Sequence, residues 1–529
     1  MVLNKAPKAG IWVASIIAAF IISALASLIW VSPNMDLGAI WRDPYYRHVT
    51  QFSFYQSLLS TILSVGLAVP VSLALSRRVF KGKTLLLKLF STTLVLPVLV
   101  GVFGLLAIYG NSGLLSQWLK SIGGEMPFSI YGLSGILLAH VFFNLPYASR
   151  LLWQALESIP AEQHKLSAHL GMSDWQKFKI VEWPRIRQQI PHISSLVFML
   201  CFTSFATVMA LGGGPKATTI ELAIYQAIKF DFDLQTGAVL AVWQMLLCCT
   251  MAVLFHKLAK PVPVSKSTSV GRWSSQWVSK TSLVWDYTWI VLALLLVIPP
   301  LVTVVLSGLN PKVWLVLSDS KFWQALGASL KVAGLAALFS LTAGYLILTT
   351  SRHWRLRERT NRADGIEVVG TIILVTPGLV VSTGLFLFLR HFADVYSLAF
   401  VVVVAVNTLM GLPYVLKTLA QPMLYIEQEY QYLCASLGIR GWHRFRLIEW
   451  RALNRPIAHA FAISFLVAIG DLSAIALFGS QEFRTLPLYL FQLLGSYQME
   501  AAAFVSLTLL ILSMSCFVLI ERLFKRQGK

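Results

Sequence analysis

Few residues in this sequence could do chemistry, and most of them sit in strongly apolar surroundings. Asp471, in the run FLVAIGDLSAIALFG, is the one acid well inside an apolar stretch. A carboxylate facing lipid costs about 3 kcal/mol on insertion scales. It therefore marks either a functional site or a group that satisfies backbone donors after Gly470. The position equivalent to it in an internal repeat is Ser204, so the pair Asp471 and Ser204 is the candidate for a solute path. The run Gly212-Gly213-Gly214-Pro215-Lys216 imitates a phosphate-binding loop. It lacks that motif's second glycine, and Pro215 precedes the lysine, so it reads as a glycine-rich turn. No GxSxG, HExxH or paired-carboxylate arrangement falls in a plausible water-filled site, and no catalytic residue is expected. Cys201, Cys248, Cys249, Cys434 and Cys516 form no CxxC and have no histidine at ligand spacing. They read as small hydrophobes, and neither metal nor cofactor is expected.

The remaining conspicuous residues come in two sets. Glu162, Gly171, Trp175, Phe178 and Glu182 lie in residues 157–190, and Glu429, Gly438, Trp442, Phe445 and Glu449 lie in residues 424–457. Each member of the second set follows its counterpart by 267 positions. The same offset aligns Leu145-Pro146-Tyr147 with Leu412-Pro413-Tyr414, and Gly212 and Thr218 with Gly479 and Thr485. Loops drift in sequence unless they do something. Each segment is predicted to fold as two short helices around a glycine. Pro160 suits a first helical turn, and Gly171 suits the positive φ that follows a helix end. Ser173 with Gln176 forms a capping box. Trp175, Phe178 and Val181 then share a face, as do Trp442, Phe445 and Ile448. One such helix is an ordinary interfacial helix. Two at matching positions suit a two-fold symmetric partner.

The elements that must hold these segments are membrane spans. Charged residues are only 12% of the chain and hydrophobic ones 57%, against about 25% charged in soluble domains. Apolar runs fall near 11–31, 52–76, 85–109, 130–153, 191–213, 237–257, 287–308, 323–350, 366–390, 395–417, 457–479 and 501–522. The first, although preceded by Lys5 and Lys8, is 21 residues without a charge, longer than the roughly 7 to 15 of a signal peptide's apolar region. It is expected to stay as a span. Basic residues sort by loop, 31 on one side and 9 on the other. That asymmetry places both termini in the cytoplasm and accounts for the net charge of +20 without nucleic acid. The expected organisation is a first repeat over 1–258, a cytoplasmic linker over 259–286 and a second repeat over 287–529. Six spans separate equivalent points, so the repeats run parallel about an axis along the membrane normal. Pro97 and Pro377 fall inside the third and ninth spans as kinks.

The duplicated segments resemble the signature loop of binding-protein-dependent ABC importer permeases. That loop reads Glu-Ala-Ala, three residues, Gly, nine residues, then Ile-x-Leu-Pro. Here Gly171 is followed after nine residues by Val181-Glu182-Trp183-Pro184, and Gly438 by Ile448-Glu449-Trp450-Arg451. Lys165-Leu166-Ser167 and Tyr432-Leu433-Cys434 stand in place of Glu-Ala-Ala, and Arg451 in place of the proline. Two permease domains fused in one chain resemble the ferric-iron and thiamine branches. The stretches 52–60, 131–146, 204–226 and 482–492 are similar to the thiamine branch in particular. The resemblance implies an all-α, type I importer fold of about twelve spans in a bacterial inner membrane. It implies import of thiamine and its phosphates from a periplasmic binding protein, with ATP hydrolysed by a separate homodimer of ATPase subunits. It also implies that the two sets of loop residues contact that ATPase and that the fifth and eleventh spans line the path. A ferric-iron permease and a twelve-span secondary transporter are the alternatives. The second would need a G-x-x-x-D-type motif where residues 76–83 read SRRVFKGK.

Overall fold

The computed structural model describes residues 8–31, 37–93, 96–258, 280–392, 394–395, 397–439 and 441–525. In chain order the first half provides α1 (Ala9–Val31), α2 (Pro44–Arg77), α3 (Val98–Tyr109), α4 (Leu133–Glu157), α5 (Ala161–His169), α6 (Trp183–Phe202), α7 (Phe205–Leu211), α8 (Ile220–Lys229) and α9 (Leu234–Leu258). The second provides α10 (Lys280–Gly308), α11 (Ser320–Arg355), α12 (Gly378–Leu389), α13 (Ala399–Ser436), α14 (Trp450–Gly470), α15 (Ser473–Phe478), α16 (Leu486–Gly495) and α17 (Met499–Lys525). Lipid cannot hydrogen-bond a backbone, so apolar runs close their own bonds as helices. Among the described residues ten helices are long and apolar enough to cross a bilayer, or twelve if two bent pairs each count once. Of the expected linker, residues 259–279 lie outside the described residues, and 280–286 form the first turns of α10.

Several spans are broken where the sequence predicts continuity or a mild kink. Pro97 and Pro377 each stand just ahead of a helix, α3 and α12, with ψ of 128° and 141°. A proline removes an amide donor and disfavours helical geometry in the residue before it. At Pro377 the two helical pieces meet at 90°. The fifth span bends by 52° between α6 and α7, where no proline stands: Thr203 and Ser204 separate the pieces. Asp471 and Leu472 separate α14 from α15 in the same way.

The first span of each half packs across on the other half. α1 lies against α11 and α12, and α10 lies against α2 and α3. Close approach demands glycine at one such crossing, because a Cβ on Gly104 of α3 would come within 2.6 Å of the Pro300 carbonyl oxygen of α10. One apolar core therefore runs through both halves. The repeat also persists in hydrogen bonds. Ser53 of α2 accepts the amide of Ile220 at 3.0 Å, and Ser329 of α11 accepts that of Leu486 at 2.7 Å. Those amides follow the N-caps Thr219 and Thr485. The structural partner of Thr485 is thus Thr219, not Thr218: one fewer residue joins Gly479 to its cap than joins Gly212 to its own.

Candidate functional site

The first duplicated segment folds largely as its residues dictate. Pro160 ends the turn after α4 and starts α5. Gly171 follows with φ +62°, a conformation that a β-carbon disfavours by about 1–2 kcal/mol. Ser173 and Gln176 then make both capping-box bonds, opening the short helix Asp174–Lys177. That helix does not end. Its next turn, Phe178–Glu182, widens to π-type bonding and runs directly into α6. The second segment repeats Gly438 at φ +64°, the short helix Gly441–Arg444 and a widened turn at Phe445–Glu449 leading into α14. Here there is no counterpart of Pro160, because the equivalent position is Glu427. α13 consequently continues unbroken to Ser436, so the expected separate first helix is absent from the second copy.

The widened turn decides which side chains face outward. Trp175 and Trp442 are 70% and 73% exposed. Phe178 is half-buried, its ring tilted between those of Trp175 at 5.4 Å and Trp183 at 5.8 Å. Phe445 sits likewise between Trp442 at 5.1 Å and Trp450 at 6.0 Å. Val181 and Ile448 pack inward. Trp175, Phe178 and Val181 therefore do not share an exposed face, since the extra residue in the π turn rotates the positions after it. The outward apolar set is Leu166, Leu170, Trp175 and Ile180, matched by Leu433, Leu437, Trp442 and Leu447. The 267-residue offset carries each onto its partner, and that signal could have found the leucines from sequence. Glu162 and Glu429 are exposed beside this set.

Glu182 and Glu449 lie beneath the surface, each only 2% exposed. Arg77, the last residue of α2, donates Nε to Glu182 Oε1 at 3.0 Å and Nη2 to the other oxygen. Arg352, near the end of α11, reaches Glu449 Oε1 at 2.6 Å and Glu427 Oε2 at 3.1 Å. Arg444 hydrogen-bonds Glu427 and ion-pairs with Glu449, and the Tyr345 hydroxyl donates to Glu449. Buried charges survive only when paired and hydrogen-bonded. The two glutamates thus fasten each segment to the end of a span.

The broken spans meet between the halves. Asp471 stands at the break in the eleventh span, where Oδ1 accepts from the Ser473 amide at 3.1 Å and hydroxyl at 2.6 Å. Its Oδ2 accepts from the Ala474 amide at 3.2 Å. Both oxygens therefore accept from the N-terminus of α15, as a capping aspartate's do, and the Asn407 side chain of α13 also hydrogen-bonds the carboxylate. At the other end of α15, Lys229 Nζ donates to the carbonyls of Leu477 at 3.2 Å and Gly479 at 3.3 Å. A six-residue helix is held between an acid at its positive end and a cation from the other half at its negative end. Burial pulls the Lys229 ammonium below its ordinary pKa. Ser204, at the matching break, donates to the Cys201 carbonyl at 2.7 Å and caps no helix. Pro97 touches Gly470 from the first half, with its Cβ 3.2 Å from where a Cβ on Gly470 would stand. The Gly212–Gly214 run closes α7 in a turn, with Gly213 and Gly214 at positive φ. Among the described residues no group of three or more His, Cys, Asp or Glu side chains could hold a metal ion.

Residues 51–261 and 361–529 match the family described as binding-protein-dependent transport system inner membrane component. The chain is 46% identical over 520 residues to the thiamine transport system permease protein ThiP of Escherichia coli, covering 98% of this chain and 97% of that one. It is 42% identical to the protein of the same description from Haemophilus influenzae, over 97% and 95% of the two chains. A sulfate transport system permease protein, CysW of Synechocystis, is 26% identical over 35% of this chain and 67% of its own.

Proposed function

The chain belongs to the family of binding-protein-dependent transport system inner membrane components, and from that premise we propose that it is the permease of an ATP-driven thiamine importer. The observation that carries the substrate is identity of 46% to a thiamine permease across almost the whole of both chains. Membership makes the chain a multi-pass inner-membrane transport subunit and not an enzyme. ATP hydrolysis then belongs to separate subunits on the cytoplasmic side. The outward sets Leu166, Leu170, Trp175, Ile180 and Leu433, Leu437, Trp442, Leu447 are the surfaces that meet them. Two copies of one apolar surface fit two copies of one partner, so the ATPase is a homodimer.

With those segments cytoplasmic, both termini and residues 259–286 are cytoplasmic too, consistent with the loop charge asymmetry. The repeats 1–258 and 287–529 enclose the path, which passes the breaks at Ser204 and Asp471. Thiamine and its phosphates arrive from a periplasmic binding protein. Asp471 shapes that path by fixing α15, and its charge is directed mainly at backbone amides.

The test is reconstitution of the permease with the ATPase and the thiamine-binding protein in liposomes. Thiamine-loaded binding protein is expected to stimulate ATP hydrolysis and drive thiamine inward. Stimulation by a ferric-iron binding protein instead would overturn the substrate.

A further inference from the structure

We propose that Asp286 is a positioning residue that passes movement of the first cytoplasmic segment to the first span of the opposite half; this rests on the transport reading above. Asp286 lies near the start of α10 and is 1% exposed. Arg78, directly after α2, donates Nε to Asp286 Oδ2 at 2.7 Å and holds the same oxygen through Nη2 at 2.6 Å. Its Nη2 also bonds the Ser282 hydroxyl at 3.0 Å. Arg77, one residue earlier, binds Glu182 of the first segment and stands 3.9 Å from Asp286. Adjacent arginines thus join a loop carboxylate to a carboxylate on a span of the other half.

From Asp286, α10 rises about four turns to Pro300, whose carbonyl abuts Gly104 of α3. α3 begins after Pro97, which touches Gly470 next to the Asp471 cap. The chain of contacts from Glu182 to the broken spans is therefore continuous, and its one step of paired charges between the halves is the Asp286 step. The second segment is held differently. Its ions, Arg352, Arg444, Glu427 and Glu449, all belong to the second half. Where α1 meets α11, Gly10 rests on Leu346 and Thr350, and α1 carries no charged residue.

The decisive variant is the double substitution Arg78→Met with Asp286→Leu, which leaves neither charge buried alone; such apolar replacements are often neutral for folding. In proteoliposomes with the ATPase and binding protein, the complex is expected to assemble and keep its basal ATP hydrolysis. Thiamine imported per ATP should fall about fivefold, within the range of mutational coupling effects. Unchanged import per ATP would overturn the relay. Arg78→Lys keeps a charge but loses the fork, and it should give a smaller fall in the same ratio if the double variant is not recovered. A second readout needs no substrate: hydrogen exchange in Ser282–Ile290 of the permease–ATPase complex. Adding ATP should change that exchange in wild type and not in the double variant. An equal change in both would overturn the relay, whereas failure of thiamine to stimulate the wild-type complex would count against the substrate alone.

Discussion

The two duplicated segments present the same four apolar positions on different supports. In the first, Pro160 breaks the chain after α4, and a single arginine clamps Glu182 while its neighbour reaches into the other half. In the second, Glu427 takes the place of Pro160, α13 runs through to Ser436, and two arginines with Tyr345 hold two glutamates. The outward apolar face is duplicated, whereas the layer beneath it differs between the two copies. On the proposal that the partner is a homodimer, its two copies constrain this surface equally in both halves. Its scaffold needs only to hold that surface still.

The strongest way to break this equivalence is at the two glycines. Gly171→Val with Gly438→Val places branched side chains at φ near +60° in both segments, each strained by about 1–2 kcal/mol. Among the described residues, and apart from the adjoining chain, nothing lies within 4 Å of where either Cβ would stand, so the effect comes from the backbone and the protein should stay in the membrane. Loss of binding-protein-stimulated ATP hydrolysis is expected, and full stimulation would show that neither segment transmits.

The supports can be told apart by removing one buried charge at a time. Glu449→Gln leaves Arg352 and Arg444 short of a carboxylate, whereas Glu182→Gln leaves only Arg77 in that position. Breaking a buried pair costs about 3–5 kcal/mol, so thermal unfolding in detergent should fall further for Glu449→Gln. Equal falls would mean that the denser network adds nothing.

The outward faces should instead respond alike. Trp175→Ala and Trp442→Ala each truncate an exposed aromatic of the kind that anchors interfaces, with an expected loss of about 2 kcal/mol. That is roughly a thirtyfold weaker ATPase affinity for either variant, measured by titrating the subunit onto the solubilised permease. A tenfold difference between the two would sink the idea of a symmetric partner.

The smallest effect is expected where the halves differ most in residue type. Asp471→Asn should change thiamine uptake by less than about twofold, because asparagine caps a helix nearly as well as aspartate. Asp471→Ala should cost about 1 kcal/mol of α15 stability, and Ser204→Ala, with no cap to lose, should change little. A large loss with asparagine would restore the negative charge as a direct partner of the thiamine cation.

Much of this molecule is set by its sequence alone. Lipid as a solvent forces each spanning stretch to be long, apolar and helical, so the twelve apolar runs map onto helices or helix pairs. The constant offset exposes the repeat, and the glycine and capping-box residues act within a few positions of themselves, so local chemistry predicts them. Tertiary structure decided the rest. Arg77 lies 105 residues from Glu182, and Arg352 lies 97 from Glu449, at a spacing the 267-residue offset does not preserve. Asp471 could be read equally as a path charge or a cap until the break placed the amides of α15 against it. The outward face of each short helix turned on one widened turn, whose geometry is imposed where the short helix merges with a span already packed in the core. Ion pairs, breaks and that rotation all depend on which distant segment arrives alongside, and periodicity along the chain carries no record of it.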